Sequence, residues 1–260
     1  MKRGTPVLYH YTSLDGFVGI LRDKAIWASS IRHLSDSSEF RYTLDLVEKR
    51  VLTMPRGASG SYSTFLDSYR KAFDGMADGT VYVASFSSEG DLLSQWRAYG
   101  NPGGTVALGL RRTGLEEAAS ASGYKLTPCL YDRAKQMGEL QRAFAAAIAM
   151  GQTMGPGLFA NRVLSLAPTM KHRSFLEEAE WRFISPRPAP GDLLFRSSGS
   201  LLVPYRVVPL NGEKGFPISE VVLGPNPHPY ENLLAVRLLL AENGLGAARV
   251  RQSKAPFRVR

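Results

Sequence analysis

Cysteine is nearly absent from this sequence, and that absence excludes several classes of protein. Cys129 is the one cysteine among 260 residues, so neither a disulfide framework nor a cysteine-rich zinc cluster can form within the chain. The four histidines include no pair spaced i, i+4, and no HExxH motif occurs. We therefore expect no metal site.

Other familiar motifs are missing too. The chain has no GxxxxGK[ST] loop, no GxGxxG after a strand and no GxSxG, which excludes the usual phosphate-binding loops and the serine nucleophile elbow. The longest run without charge, residues 143–161, is broken by Gly151, Gly155, Pro156 and Gly157. We interpret it as a helix end plus a loop, not a membrane span. The first residues do not resemble a signal peptide, so we expect a cytoplasmic protein without membrane contact.

What the sequence does contain indicates a folded, basic protein. Hydrophobic residues make up 44% of the chain, enough for a core, and we expect a single domain over residues 1–260. The formal net charge of +9 favours an anionic partner such as nucleic acid or a phosphorylated ligand, unless it reflects composition alone. The last twelve residues carry five cations and no acid: Arg249, Arg251, Lys254, Arg258 and Arg260.

Hydrophobic periodicity predicts an α+β fold in which helices flank a mixed, mostly antiparallel sheet. The predicted helices are Ser13–Asp23, Ser38–Leu52, Phe65–Phe73, Leu92–Tyr99, Arg133–Met150 and Tyr230–Glu242. The predicted strands are Val7–Tyr11, Ala25–Ser29, Thr80–Phe86, Val106–Leu110, Lys125–Tyr131, Trp181–Ile184, Val203–Val208, Glu220–Leu223 and Ala248–Arg251.

Three segments contain residues suited to chemistry, and each also has a purely structural interpretation. His10 lies near the end of the first predicted strand and is either a ligand-binding or a core histidine. Ser85 and Ser87 share one face of a later strand, as site hydroxyls or as turn residues. Glu178 and Glu180 precede another strand, and in strand geometry would share a face. Like charges so close need a compensating cation or ligand unless they form a solvated loop.

Taken together, these segments resemble the bacterial domain-of-unknown-function 2971 family over nearly the whole chain. The matching stretches are Leu8–Leu21, Trp27-Ala28-Ser29, Ser85–Gly104, Lys171–Arg182 and the strand before Gly224-Pro225. The sequence differs at Ser35-Asp36-Ser37, where the family usually has Asn-Asp-Pro.

The order of the motifs also resembles that of ADP-ribosyltransferases: a His or Arg on the first strand, then Ser-x-Ser, then Glu-x-Glu. This resemblance implies that NAD is the substrate, that His10 holds its ribose and nicotinamide region, and that Ser85 orients Glu180, with Tyr11, Thr12 and Ser87 also in the NAD site. It implies further that Glu180 binds the nicotinamide ribose and that Glu178 faces the acceptor. Tyr11, Trp96 or Tyr99 would stack on the nicotinamide ring, although core packing fits Trp96 better.

The resemblance predicts an ADP-ribosyltransferase or NAD glycohydrolase, as a toxin or phage-defence effector with a protein or nucleic-acid acceptor. Two alternatives remain open. One is a non-enzymatic module that binds a ligand or nucleic acid. The other is a metal-dependent nuclease that uses Lys171, Glu178 and Glu180.

Overall fold

The computed structural model describes residues 6–33, 38–51, 66–72, 81–99, 104–185 and 191–255. Its strands are β1 (Val7–Ser13), β2 (Ala25–Ser30), β3 (Tyr82–Ser87), β4 (Thr105–Arg111), β5 (Lys125–Pro128), β6 (Glu180–Ile184), β7 (Leu194–Ser198), β8 (Leu201–Pro209), β9 (Ile218–Leu223) and β10 (Arg249–Gln252). Its α-helices are α1 (Leu14–Asp23), α2 (Ser38–Leu46), α3 (66–72), α4 (Leu93–Tyr99), α5 (Arg112–Ala121), α6 (Arg133–Ala149), α7 (Gly151–Leu166) and α8 (Pro229–Glu242).

The strands form a single sheet, and helices pack on both of its faces. The main path of the sheet is β10-β9-β4-β1-β3-β2-β8-β7, and β6 joins β3 and carries β5. The β9–β10 pair is parallel and the other strand pairs are antiparallel. The predicted α+β class, with a mixed and mostly antiparallel sheet, is confirmed.

The two edges of β3 are occupied differently. One edge pairs with β6 along its length, from Val83 opposite Ile184 to Ser87 opposite Glu180. The other edge is shared by two strands: β2 pairs near Val83, and β1 pairs only where Tyr9 faces Ser87. Between these pairings β1 and β2 separate from each other. We call this opening, opposite residues 84–86 of β3, the seam.

Each face of the sheet has its own apolar layer. The main core joins Leu8, Phe86 and Phe183 of the sheet to buried residues of α1, α5 and α8. On the opposite face, Val83 and Ile184 pack against residues that follow α7. Burial of apolar surface on both faces explains why the central strands are rich in Val, Leu, Phe and Ala.

Strand and helix formation follows local patterns at most of the predicted elements. The helix predicted from Ser13 begins at Leu14, because Ser13 is its N-cap and its hydroxyl accepts the Gly16 amide at 3.1 Å. The predicted strand at Trp181 begins one residue earlier, at Glu180. The predicted helix Ser38–Leu52 ends as α2 at Leu46 and continues as a π-helical turn, Val47–Val51.

The interpretation of residues 143–161 as a helix end plus a loop is wrong, because Gly151–Leu166 forms helix α7. Gly151 has φ +75°, which turns the chain between α6 and α7. Gly155 lies so close to the carbonyl of Ala147 that a Cβ would collide with it. Glycine therefore permits tight helix packing here, and this packing outweighs the poor helix propensity of the segment.

Candidate active site

The three segments singled out in the sequence meet on three neighbouring strands. Ser87 of β3 is paired with Tyr9 of β1 on one side and with Glu180 of β6 on the other. His10 follows Tyr9 directly, at the seam. Because adjacent strands lie about 4.8 Å apart, the backbones of Tyr9 and Glu180 are about 10 Å apart across Ser87. We call Tyr9, Ser87 and Glu180 the central row.

Glu180 is a buried carboxylate held by two buried cations. Its Oε1 accepts a hydrogen bond from Arg182 Nε at 2.7 Å. Its Oε2 accepts from Lys171 Nζ at 2.6 Å and from an Arg182 terminal nitrogen at 3.0 Å. Its backbone amide donates to the Tyr131 hydroxyl at 2.9 Å. The position of this carboxylate is therefore fixed from three directions.

The charge state of Glu180 follows from these contacts. Burial alone would raise the pKa of the carboxyl group, but the charges and hydrogen bonds of Arg182 and Lys171 outweigh burial and lower it to about 2. Glu180 is therefore an anion at neutral pH.

Lys171 supplies the compensating cation that two close glutamates require. Its Nζ donates to Glu178 at 2.5 Å and to Glu180 at 2.6 Å. The two glutamates are not on one strand, since Glu178 ends a 3-10 turn and Ala179 is left-handed with φ +42°. The assumption that strand geometry aligns them is wrong, and Lys171 joins them instead. The Glu178 side chain is 20% exposed, against 7% for Glu180.

Ser87 fastens the strand end to the turn that carries Glu178. Its hydroxyl donates to the Glu178 carbonyl at 2.7 Å and accepts the Glu89 amide at 3.0 Å. Ser85 lies two residues earlier, opposite Arg182. The serine directly opposite Glu180 is thus Ser87, and Ser85 contributes its backbone carbonyl to His10.

His10 lies at the seam, with Nδ1 2.9 Å from the Ser85 carbonyl oxygen. A carbonyl oxygen only accepts, so Nδ1 carries the proton and the neutral ring has its lone pair on Nε2. Burial lowers the pKa of His10, with partial opposition from this bond. The ring lies beside Phe86, on the main-core face, whereas strand alternation places Glu180 on the other face. His10 and Glu180 are therefore separated by β3, on opposite faces of the sheet.

Tyr11 and Thr12 hold local structure in this arrangement. The buried Tyr11 hydroxyl donates to the Glu89 carbonyl at 2.8 Å and accepts the Leu92 amide at 3.0 Å. Thr12 lies over the first turn of α1, where its hydroxyl would meet a Cβ added at Gly16. These contacts make Tyr11 a support for the loop after β3.

Tyr99 is the aromatic residue that combines exposure with nearness to the charged cluster. It is 42% exposed and its ring stacks 6.5 Å from that of Tyr11. Burial of its hydroxyl, together with the nearby Glu180 charge, raises the pKa of Tyr99. Trp96, in contrast, is fully buried, which confirms its expected role in core packing.

Two residues that contact Glu180, Arg182 and Tyr131, have no site role in the interpretation of the sequence. Arg182 has a usable signal, because it lies two residues after Glu180 on one strand and must share its face. Tyr131 has no such signal, since its contact with Glu180 depends on the pairing of β5 with β6.

Two findings bear on metals and membranes. Among the described residues, no three His, Cys, Asp or Glu side chains come together as a group able to hold a metal ion. Likewise, none of the helices found in those ranges is long and apolar enough to cross a membrane.

Comparison with known proteins identifies a family resemblance for the middle of the chain. Residues 95–183 match the family model described as protein of unknown function (DUF2971). The predicted resemblance to this family is confirmed over that range. The matched range ends on β6 and includes Lys171, Glu178, Glu180 and Arg182.

The other comparisons give one structure and no curated sequence. No curated protein matches the chain. A solved structure described as Thermus sp. 2.9 DarT in complex with ADP-ribosylated ssDNA is similar at 14% identity and a TM-score of 0.36, over 97% of each chain.

Proposed function

We propose that the protein cleaves the bond between nicotinamide and ribose in NAD, as an ADP-ribosyltransferase or NAD glycohydrolase. The observation that carries this proposal is the meeting of the three sequence motifs on β1, β3 and β6. His10, the Ser85–Ser87 pair and Glu180 are far apart in sequence, yet they lie on the adjacent strands β1, β3 and β6, and Lys171 joins Glu178 to Glu180.

The charge of Glu180 suits this reaction. When the glycosidic bond breaks, its electron pair leaves with nicotinamide, and positive charge develops on the ribose as in glycoside hydrolysis. An ionised carboxylate that is already fixed in place stabilises that charge without reorganising. Water or an acceptor group then attacks the sugar carbon and loses a proton. Glu178, which is more exposed than Glu180, accepts that proton.

Glu180 retains capacity for a sugar hydroxyl despite its two cations. An ionised carboxylate offers about four acceptor positions. Within the described part of the chain, Oε2 accepts from Lys171 and Arg182, whereas Oε1 accepts from Arg182 alone. We assign the remaining position on Oε1 to a hydroxyl of the nicotinamide ribose.

The neutral His10 and the exposed Tyr99 complete the assignment. His10 Nε2 accepts a hydrogen bond from a hydroxyl of the dinucleotide that enters the seam, and Ser85 keeps the ring in the required tautomer. Tyr99, stacked on Tyr11, offers its exposed ring to nicotinamide.

The net charge of +9 supports an anionic acceptor, and we propose nucleic acid ahead of protein. A toxin or phage-defence effector in the cytoplasm is the corresponding biological role. Arg251 of the basic C-terminal stretch is paired with Asp91 and Glu220, so it is a structural cation. Arg258 and Arg260 lie outside the described residues.

A non-enzymatic binding module is the second candidate, and one observation favours it. Lys171 and Arg182 neutralise the charges of Glu178 and Glu180, so the cluster is balanced without a ligand. Such a balanced cluster fits a scaffold that keeps the fold and binds without turnover.

Incubation with NAD labelled on the adenylate separates the candidates. Nicotinamide release, or transfer of label to nucleic acid or to protein in a cell lysate, supports the enzyme. Saturable NAD binding with no nicotinamide release supports the binding module. Absence of both binding and release contradicts the proposed function.

A further inference from the structure

The loop after β3, residues 88–92, is tied to every segment of the candidate site. The Ser88 amide donates to the Ala179 carbonyl at 3.1 Å, next to Glu178 and Glu180. The Glu89 amide donates to the Ser87 hydroxyl, and the Leu92 amide donates to the Tyr11 hydroxyl. The position of this loop therefore sets the positions of Ser87, Tyr11 and the Glu178 turn.

The carboxylate of Asp91 in this loop binds residues 251–254, at the end of β10 and just after it. Oδ1 of Asp91 accepts from the Trp96 indole at 2.8 Å and from the Ser253 hydroxyl. Oδ2 accepts from the Lys254 amide at 2.8 Å and lies 3.5 Å from Arg251. Asp91 thus joins the loop, helix α4 and residues 251–254. We call residues 251–254 the C-terminal clasp.

The clasp also reaches the central row by a second route. Arg251 Nε lies 3.3 Å from a carboxylate oxygen of Glu220 on β9, and the other carboxylate oxygen of Glu220 accepts a hydrogen bond from Tyr9. Hydrogen bonds to an ionised acceptor are stronger than neutral ones and hold geometry more closely. Both ends of the clasp therefore contact groups next to the site, although none of its residues belongs to the site.

We propose that the C-terminal clasp is a positioning element, which acts through Asp91 to hold the 88–92 loop in the geometry that the site requires. The effect on turnover that this inference assigns to Asp91 and Ser253, neither of which contacts NAD, rests on the proposed function. The structural coupling between residues 251–254 and the loop does not depend on that function.

The test removes the Ser253 hydroxyl, which donates to Asp91 and accepts the Ala255 amide at 3.0 Å, without touching the site. Ser253→Ala deletes the hydroxyl that donates to Asp91, and Ser253→Thr keeps it. Ser165→Ala is the matched control, because Ser165 is exposed on α7 and its hydroxyl donates to the nearby Arg162 carbonyl. Asp91→Asn is a second variant, which puts amide hydrogens against the Lys254 amide or the Ser253 hydroxyl.

Amide hydrogen exchange provides the readout that does not need activity. In Ser253→Ala and Asp91→Asn we expect the Ser88, Glu89 and Leu92 amides to exchange about tenfold faster, because local opening of the loop becomes easier. Ser253→Thr and Ser165→Ala should match the wild type. Unchanged exchange at these three amides in both Ser253→Ala and Asp91→Asn overturns the proposal.

Nicotinamide release provides the second readout. A positioning role predicts a several-fold fall in kcat with little change in KM for Ser253→Ala, and recovery in Ser253→Thr. Faster exchange with unchanged kcat overturns the catalytic part of the inference. Absence of release by the wild type overturns the proposed function instead, and the exchange result then decides the coupling alone.

Discussion

Two carboxylates near β3, those of Glu180 and Asp91, have lowered pKa values, and the lowering has a different cause at each. Glu180 is fixed by two cations, Lys171 and Arg182, within 3.0 Å. Asp91 is fixed by neutral donors from Trp96, Ser253 and a backbone amide, with a cation only at 3.5 Å. Burial opposes ionisation at both, and at Asp91 hydrogen bonds contribute more than charge to lowering the pKa.

The difference shows how each carboxylate depends on its surroundings. An ion cluster fails when one charge is removed, because the remaining charge is buried without compensation. A carboxylate held by several neutral donors loses one contact at a time. Glu180 therefore suits a site that needs a fixed anion, and Asp91 suits a junction between segments.

The largest expected effect is the loss of a cation at Glu180. Arg182→Met keeps much of the side-chain length but leaves the Glu180 charge with Lys171 alone, which Glu178 shares. Breaking a buried ion pair costs about 3–5 kcal/mol of unfolding free energy. Urea denaturation of the wild type and the variant measures this difference.

Arg142→Met is the matched control for this substitution. Arg142 contacts Glu139 at 2.6 Å, but the two side chains are 69% and 42% exposed, so the loss should be below about 1 kcal/mol. Similar losses in the two variants would show that the cluster around Glu180 is not the stabilising feature that its burial indicates.

The pH dependence of stability is the next largest effect. The pKa of Glu180 in the folded protein, about 2, lies below its ordinary value of 4.5, so its ionisation stabilises the fold above about pH 5. This contribution, about 3 kcal/mol, is lost as pH falls from about 5 toward 2.

Urea denaturation at several pH values between 7 and 3 tests this sign. Glu180→Gln should be less stable than the wild type at pH 7, and the gap should narrow as the pH falls. A gap that stays constant or widens in acid would contradict the charged state assigned to Glu180. Asp91→Asn should show a narrowing gap as well, since hydrogen bonds hold its pKa below the ordinary value.

A smaller effect tests the packing of the loop that carries Asp91. Gly90 lies against the ring of Tyr9 so closely that a Cβ would overlap it. Gly90→Ala should therefore displace the loop or the ring and destabilise the protein by about 1–3 kcal/mol in thermal or urea unfolding.

Gly157→Ala, the same substitution in α7, should stabilise the protein instead. Among the described residues, nothing beyond the adjacent residues and the backbone of α7 itself lies within 4 Å of a Cβ at Gly157, and alanine favours a helix over glycine by about 1 kcal/mol. A stabilised Gly90→Ala would show that the loop has room that the structure does not indicate.

Much of the fold could be predicted from local patterns. The apolar stripe of α1, with Ser13 as its cap, and the alternation of β3 depend on neighbouring residues alone. The sequence does not predict helix α5, because α5 follows β4 without a break in the sequence. It does not predict helix α7 either, because this helix depends on close packing against α6, which glycine permits and sequence pattern does not reveal.

The candidate site was predictable in its residues but not in its arrangement. The motifs place Glu178 and Glu180 near a strand start, yet the left-handed Ala179 decides how they diverge. Lys171 contacts both glutamates because the 3-10 turn that follows it, Arg173–Glu178, brings the chain back toward Lys171. The position of His10 on the other face of the sheet depends on the register in which Tyr9 faces Ser87, which only the pairing of β1 with β3 defines.

The central claim is that Glu180 stabilises positive charge on the ribose of NAD, and the rate of nicotinamide release by Glu180→Gln tests it most directly. Glu139→Gln, which removes a half-exposed acid on α6, is the control, and circular dichroism at the assay temperature establishes that each variant is folded. We predict release by the wild type and by Glu139→Gln, and turnover lower by roughly 10²–10³-fold in Glu180→Gln. Equal turnover in folded Glu180→Gln and wild type would contradict the account.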